Sequence, residues 1–544
     1  MPVGAGVAKA RRGQGINGTG ALARERSGDG TRRMDTAGQI ITGKYFDSVS
    51  LMRVAKQALE LPGVKDAAAI MATAENKRIL AASGMDWPGL AEATDTDLAL
   101  GVLAESKAEA ESAVAEMEAL LKKKPAAASA DTAFHPRSLA GALASHPDAQ
   151  LALISIAGRY AAAEAMQAIE AGLHVMLFSD NVSLDAEIAC KQRATEKGVL
   201  CMGPDCGTAI IGGVPLGFAN VVRRGRIGLV AASGTGLQEV TSLIHQQGGG
   251  VSHAIGTGGR DIKAAVGGRT FLAALNLLSE DEGTDVLVLV SKTPDDEVLK
   301  ALAERVRAMD KPVVAIFIGG DPAVVEASGA IPAATLEAAA YLAVALSNGE
   351  TPDQALALLS GRTIPAPQLP APPRRYLRGL FCGGTFAQET VHLLTPKLGT
   401  LRNNVTTALD DPDHSQGHTV IDLGGDEFTA GRAHPMIDFA LRNRRLLAEA
   451  DDPETGVILL DVVLGYGSHA EPAAELVPLF QQISQRENPP VLLFHVCGTD
   501  ADPQGRESVV TALEAAGGVL APSNAAAAAW AGEWVAALQE GGRA

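Results

Sequence analysis

The chain has 544 residues, a formal net charge of −17 at pH 7, 47% hydrophobic residues and 4% aromatic ones. At roughly 100–200 residues per domain it should hold about three or four domains, its charge argues against nucleic acid or an anionic membrane surface as partner, and no apolar run approaches the ~18 residues that cross a bilayer. The five cysteines, Cys190, Cys201, Cys206, Cys382 and Cys497, lack paired C-x-x-C spacing and read as reduced thiols of a cytoplasmic protein, neither a disulfide frame nor a metal site.

Residues 1–33 carry seven Lys/Arg against two acids and no apolar stretch, so 1–35 is expected to be a disordered tail, or translation to start at Met34, with an Arg-rich transit peptide as the alternative. Over 36–124 a strand near 39–42, a helix over 47–61, strands over 64–71 and 97–103 and a charged helix over 105–123 suggest a small ferredoxin-like α+β domain. A lysine-rich link beside Pro125 follows. Strands over 151–157, 174–178 and 199–202 alternate with helices over 160–171 and 184–197, the pattern of a parallel sheet. Residues 137–222 are therefore read as a Rossmann-like unit.

A second βα series occupies 223–360, with strands over 227–232, 251–255, 286–290 and 313–318 and helices over 237–247, 270–279, 297–309 and 336–347. The Pro-rich stretch 361–375 is a linker. A third series over 376–544 opens as the second does: an apolar strand, a Gly-Thr turn, and a helix carrying Gln238-Glu239 or Gln388-Glu389. The fold class is thus α/β, with two related flavodoxin-like domains after the Rossmann-like unit.

The repeated turn carries the strongest chemistry. The first N–H groups of a helix lack intrahelical acceptors, and the helix dipole adds positive charge there. Glycine lets an anion approach, and a Ser or Thr hydroxyl adds a donor. Ser233-Gly234-Thr235 and Gly383-Gly384-Thr385 both fit; an ordinary N-cap is the bland reading of either alone. A dinucleotide fingerprint fails, because Glu239 stands where a third Gly or Ala belongs, and no Gly-Lys-Ser/Thr follows either turn.

Other candidates sit where strands end, the ligand-facing edge of an open α/β sheet. Gly258 and Gly259 precede Arg260, which could clamp a carboxylate or phosphate or simply pair with Asp261. Lys292 ends an apolar strand. Arg432, His434 and Asp438 cluster at a helix start, with His434 the candidate acid/base. Cys206 lies in a polar turn with no neighbouring base.

Met202-Gly-Pro-Asp-Cys-Gly, Gly228-Leu-Val-Ala-Ala-Ser-Gly-Thr and Ile255-Gly-Thr-Gly-Gly-Arg-Asp resemble, in order and spacing, the succinyl-CoA synthetase α-subunit. Asp47-Ser-Val-Ser-Leu-Met, Phe178-Ser-Asp-Asn-Val and Arg432-Ala-His-Pro-Met-Ile-Asp are similar to FdrA within that superfamily, over about residues 40–530. The resemblance implies a Rossmann-like, CoA-binding-like domain and two succinyl-CoA-ligase-type domains. The turns at 233–235 and 383–385 would then be the two "power helices" that stabilise a phosphohistidine. Where the synthetase has Gly-His-Ala-Gly-Ala, however, this chain reads Glu326-Ala327-Ser328-Gly329-Ala330. The CoA loop is not recognisable and no ATP-grasp domain is present.

FdrA-type proteins are linked to allantoin breakdown, acting with two partner subunits as an oxamate carbamoyltransferase. The resemblance therefore implies small anionic substrates (carbamoyl phosphate, oxamate, oxalurate), partner subunits of a hetero-complex, and no obligatory cofactor. The Gly-Thr turns would take phosphate, and Arg260, Lys292 or Arg432 the carboxylate. An acyl-CoA synthetase using CoA and a separate nucleotide-binding chain is the competing expectation, and a non-catalytic regulatory subunit the third.

Overall fold

The computed structural model describes residues 34–42, 48–72, 76–77, 80–81, 83–94, 97–122, 136, 138–407, 409, 411–429 and 433–541. The tail expected over 1–35 lies, but for its last two residues, outside them, as does Arg432.

Near the N-terminus, strands Asp35–Ile41, Val64–Met71 and Leu98–Ala104 form an antiparallel sheet with the last strand in the centre. Helices Ser48–Leu59 and Lys107–Lys122 cover one face. The amphipathic period of the second helix puts Ala110, Ala113, Val114 and Met117 against Leu98, Leu100 and Val102. Trp87 packs on the other face, against Gly38 and Gly101, where any side chain would meet the indole.

The next unit holds three parallel strands, Leu151–Ile154, His174–Leu177 and Cys201–Met202, in that order. Helices Gly158–Glu170 and Leu184–Lys197 connect them.

Two larger sheets repeat one topology. In the first, the parallel strands run Val251–Gly256, Arg224–Ala231, Val286–Lys292, Val313–Ile318, Ile331–Pro332. In the second they run His418–Asp422, Tyr376–Phe381, Thr455–Val463, Val491–Cys497, Gly518–Ala521, with Leu401–Asn403 added at the His418–Asp422 edge. Both orders are 2-1-3-4-5, the flavodoxin arrangement. Strand Thr455–Val463 is buried at every residue, as a central strand with both faces covered must be.

Residues 208–217, grouped by sequence with the Rossmann-like unit, instead form a hairpin, Thr208–Ile211 and Val214–Gly217, that pairs antiparallel with Val251–Gly256 in the first large sheet. Gly212 and Gly213 both have positive φ, and a Gly-Gly pair between short apolar runs is a tight-hairpin signal.

Helices Gly234–Gln246 and Gly384–Leu398 pack on each other between the large sheets, and their repeated Gln-Glu pair explains the join. Glu389 accepts the Leu336 N–H at 2.7 Å, capping the last long helix on the first sheet, Leu336–Ser347. Glu239 accepts the Asn524 N–H at 3.1 Å, at the start of the last helix on the second, Asn524–Gly541. Each half thus supplies an acid that satisfies a helix start in the other.

Burial pushes Glu239 up to about 8 and Glu389 up to about 7, against the N–H groups that favour ionisation. The folded state therefore holds protons that the unfolded chain releases above the ordinary carboxylate range, and stability drains as pH rises through those values. Melting temperature should fall between about pH 5 and pH 8 and level off above that. In Glu239→Gln/Glu389→Gln that fall should flatten; an unchanged slope would place the titration elsewhere.

Candidate anion site

Both glycine-headed helices begin at the carboxyl ends of central strands, and their N-termini meet. Ser233 caps its helix by accepting the Gly236 N–H at 3.0 Å, while its hydroxyl lies 2.6 Å from Thr385 Oγ1 in the facing turn. A side chain at Gly236 would strike Ser233 Oγ and Thr385 Cγ2; one at Gly383 would strike Thr235. Gly234 is exposed and Gly384 and Thr385 half-buried, so the junction opens on one side. Among the described residues the N–H groups of Gly234, Thr235, Gly384 and Thr385 have no protein acceptor.

A rigid frame stands behind the second turn. Asp461, on the central strand, accepts the N–H groups of Cys382 at 2.8 Å and Gly383 at 2.9 Å. Burial raises the pKa of Asp461, and Arg442, 3.5 Å away, opposes that. Arg442 is itself fully buried and donates to the Asp461 carbonyl at 2.6 Å and to Cys382 Sγ at 2.9 Å.

Asp422 ends the adjacent strand, in register with Phe381, which brings its carboxylate to the helix start. A methyl at Gly384 would fall 2.5 Å from Asp422 Oδ2. The other oxygen accepts the Gly424 N–H at 2.9 Å. Burial pushes Asp422 up to about 7, with Asp461 and Glu427 adding to the rise and Lys292 opposing it.

The sequence-chosen residues divide. Ser233, Gly234, Thr235, Gly383, Gly384 and Thr385 come together. Lys292 ends its strand on the same side; desolvation lowers its pKa and the Asp422 charge works the other way. His434 joins them: a methyl at Gly424 would lie 2.6 Å from its Nε2 and 3.1 Å from Asp422 Oδ1. His434 Nδ1 accepts the Met436 N–H at 3.2 Å, and burial lowers its pKa to about 4. The ring is neutral near pH 7, with its proton on Nε2.

Arg260 turns away. Its Nε pairs with Glu187 at 2.8 Å and it donates to the Val182 carbonyl at 2.8 Å, so its partner is not Asp261. Gly258 backs onto Gly203 and Pro204, and only Gly259 stays open. Cys206 is buried, its thiol pushed up to about 12 by desolvation. Thr208, whose hydroxyl would lie 3.5 Å from a methyl at Gly234, and Phe218, ring to ring with His434 at 6.1 Å, complete the rim.

Ala327 is exposed at the end of a short helix, its carbonyl held by Arg307 at the far end of helix Asp296–Arg307. Both helices run back from the ligand-facing edge, so position 327 lies at the opposite edge of the sheet from Ser233.

Known proteins share this frame. The family model described as CoA-ligase matches residues 380–534, and that of the succinyl-CoA ligase like flavodoxin domain matches 224–349. YahF of Escherichia coli (strain K12) is 42% identical over 490 residues, 88% of this chain and 95% of that protein. The chain belongs to the FdrA family, within the succinyl-CoA synthetase superfamily. Succinate–CoA ligase [ADP-forming] subunit alpha 2 of Archaeoglobus fulgidus is 31% identical, over 32% of this FdrA-family chain; the chain spans 60% of that subunit's length. A solved dinucleotide forming acetyl-coenzyme A synthetase 1 of Ca. Korarchaeum cryptofilum covers 72% of this chain and 84% of its own, at 15% identity and a TM-score of 0.32. The CoA-ligase family model and the succinate–CoA ligase relative give a ligase-like enzyme relationship.

Residues 34–136 match the model described as AllF, heavy metal-associated domain. They contain no cysteine and one histidine, His135, which lies outside the described residues. They do not fit a thiolate heavy-metal site. Nor does the first turn of the Rossmann-like unit fit the diphosphate of CoA. Its single glycine, Gly158, is spent on close approach to the Asp180 and Asn181 backbone, and Ile156 and Tyr160 are exposed beside it. Among the described residues no helix is long and apolar enough to cross a membrane.

Proposed function

We infer that this chain is the phosphate-handling subunit of a carbamoyltransferase, converting oxalurate and phosphate to oxamate and carbamoyl phosphate with partner subunits in allantoin catabolism. One observation carries the reading: two helix N-termini converge, Ser233 on Thr385 at 2.6 Å, with unspent N–H donors and no phosphorylatable residue at position 327. Such a site suits a free phosphate or acyl phosphate, held by backbone donors and two hydroxyls. Lys292 supplies the cation for charge that builds on the transferring group, and His434 Nε2–H a neutral donor. Pre-aimed donors of this kind stabilise the developing oxyanion without reorganisation. No step calls for CoA.

The test is reconstitution with the neighbouring gene products. Phosphate-dependent release of oxamate and carbamoyl phosphate from oxalurate is expected without ATP or CoA. If the complex instead makes a thioester from ATP, CoA and a carboxylate, and no carbamoyl phosphate, the reading is wrong and the CoA-ligase alternative replaces it.

A further inference from the structure

We propose that Asp422 is the proton carrier of the transfer, delivering a proton to the departing oxamate nitrogen and recovering one from the attacking phosphate. This rests on the carbamoyl-transfer reading and adds the group that moves the proton.

The geometry singles Asp422 out. Its Oδ2 lies against Gly384, the first residue of the second helix and the place where a bound phosphate would meet the N–H groups. Its backbone is clamped by Asn404, which accepts the Asp422 N–H at 2.8 Å and donates to its carbonyl at 2.9 Å. Oδ1 is fixed by the Gly424 N–H, leaving Oδ2 for a substrate.

The other titratable groups facing this point are unsuited. Asp461, on the central strand behind it, has both oxygens committed to the Cys382 and Gly383 N–H groups. His434 keeps Nδ1 on the Met436 N–H, and desolvation holds it neutral. Lys292, from the first sheet, offers only a proton on a cation. Glu427 is exposed and accepts from Asn404 at 2.6 Å. The Cys382 thiol is buried and pushed well up. Among the described residues Asp422 alone combines a half-buried carboxyl, a fixed backbone, a position at the helix start, and a pKa pushed up to about 7, where proton transfer in both directions is efficient near neutral pH.

The step balances. A phosphate oxygen bonds to the carbamoyl carbon of oxalurate and the bond from that carbon to the oxamate nitrogen breaks, its electron pair going to nitrogen. Protonated Asp422 gives its proton to that nitrogen, and the proton of hydrogen phosphate passes to the Asp422 carboxylate. No net proton is released, and the acid is regenerated for the next turnover.

Asp422→Asn keeps the Gly424 contact and removes the titration. In the reconstituted complex it should lower kcat by ~10²–10⁴-fold with little change in the KM for phosphate, and erase the limb of the pH–rate profile near 7. A second measurement needs no turnover. Near pH 8, phosphate binding to the full wild-type chain, read by calorimetry in buffers of differing ionisation enthalpy, should take up about one proton that Asp422→Asn does not.

Wild-type turnover with an Asp422→Asn variant of equal kcat and pH profile would overturn the inference and leave the carbamoyl-transfer reading standing. Wild-type complex without carbamoyl transfer would sink that reading itself. Identical proton uptake by both proteins would exclude Asp422 as the group coupled to phosphate.

Discussion

Gly384→Ala should remove most of the phosphate affinity and lower turnover by ~10²–10³-fold, the loss seen when an anion-hole donor is disabled. The added methyl falls 2.5 Å from Asp422 Oδ2, so the carboxylate must leave its place and the approach to the first N–H groups is blocked. Stability should not suffer, because alanine is the better helix former and Gly384 does not have positive φ. Gly234→Ala is the matched control. Its methyl meets only the Thr208 hydroxyl, at 3.5 Å, an ordinary contact, so less than ~10-fold should be lost. Phosphate titration calorimetry of both variants, with unfolding curves to verify the fold, decides the matter. Equally small effects at the two glycines would mean that the turns serve only as caps.

The paired turns were legible because the chain writes them twice, each between an apolar strand and a helix bearing Gln-Glu. A repeated local pattern of that kind survives without knowledge of tertiary contacts. Asp422 was not legible. In Ile421-Asp422-Leu423-Gly424 it reads as a turn acid, and only the parallel register of His418–Asp422 with Tyr376–Phe381 carries it to Gly384. Asp461 and Arg442 were hidden for the same reason: a lone acid inside an apolar strand shows its role only once the neighbouring strand's end is placed above it. Arg260 failed in the other direction. Its local context, two glycines before it and Asp261 after, looks like an anion clamp, but the residues that occupy it, Glu187 and Val182, come from the Rossmann-like unit. The hairpin 208–217 was not read from the sequence, although Gly212-Gly213 carries its turn signal, and nothing local names the sheet it joins.

That occupied loop yields the largest expected stability effect. Lys191 Nζ lies 2.9 Å from Glu187 and 2.8 Å from Asp261, and all three side chains are fully buried. The ammonium also donates to the Thr257 carbonyl at 2.9 Å. Asp261 in turn accepts the Thr270 and Phe271 N–H groups at 3.3 and 2.7 Å, anchoring helix Arg269–Glu280. Lys191→Met preserves the volume but leaves two carboxylates in an apolar interior with one partner fewer. Uncompensated buried charge costs ~3–5 kcal/mol, enough to unfold the junction of the Rossmann-like unit with the first large sheet. Lys191→Met/Glu187→Gln removes one of the stranded charges and should recover about half of that loss, a coupling that independent sites would not show. Chemical denaturation of the single and double variants measures it. Additive losses would mean that Glu187 is satisfied by Arg260 alone. Because this loop sits beside the end of Arg224–Ala231, where Thr257 donates to the Ala231 carbonyl at 2.9 Å, a destabilised Lys191 cluster should also weaken phosphate binding at Ser233 before the whole chain unfolds.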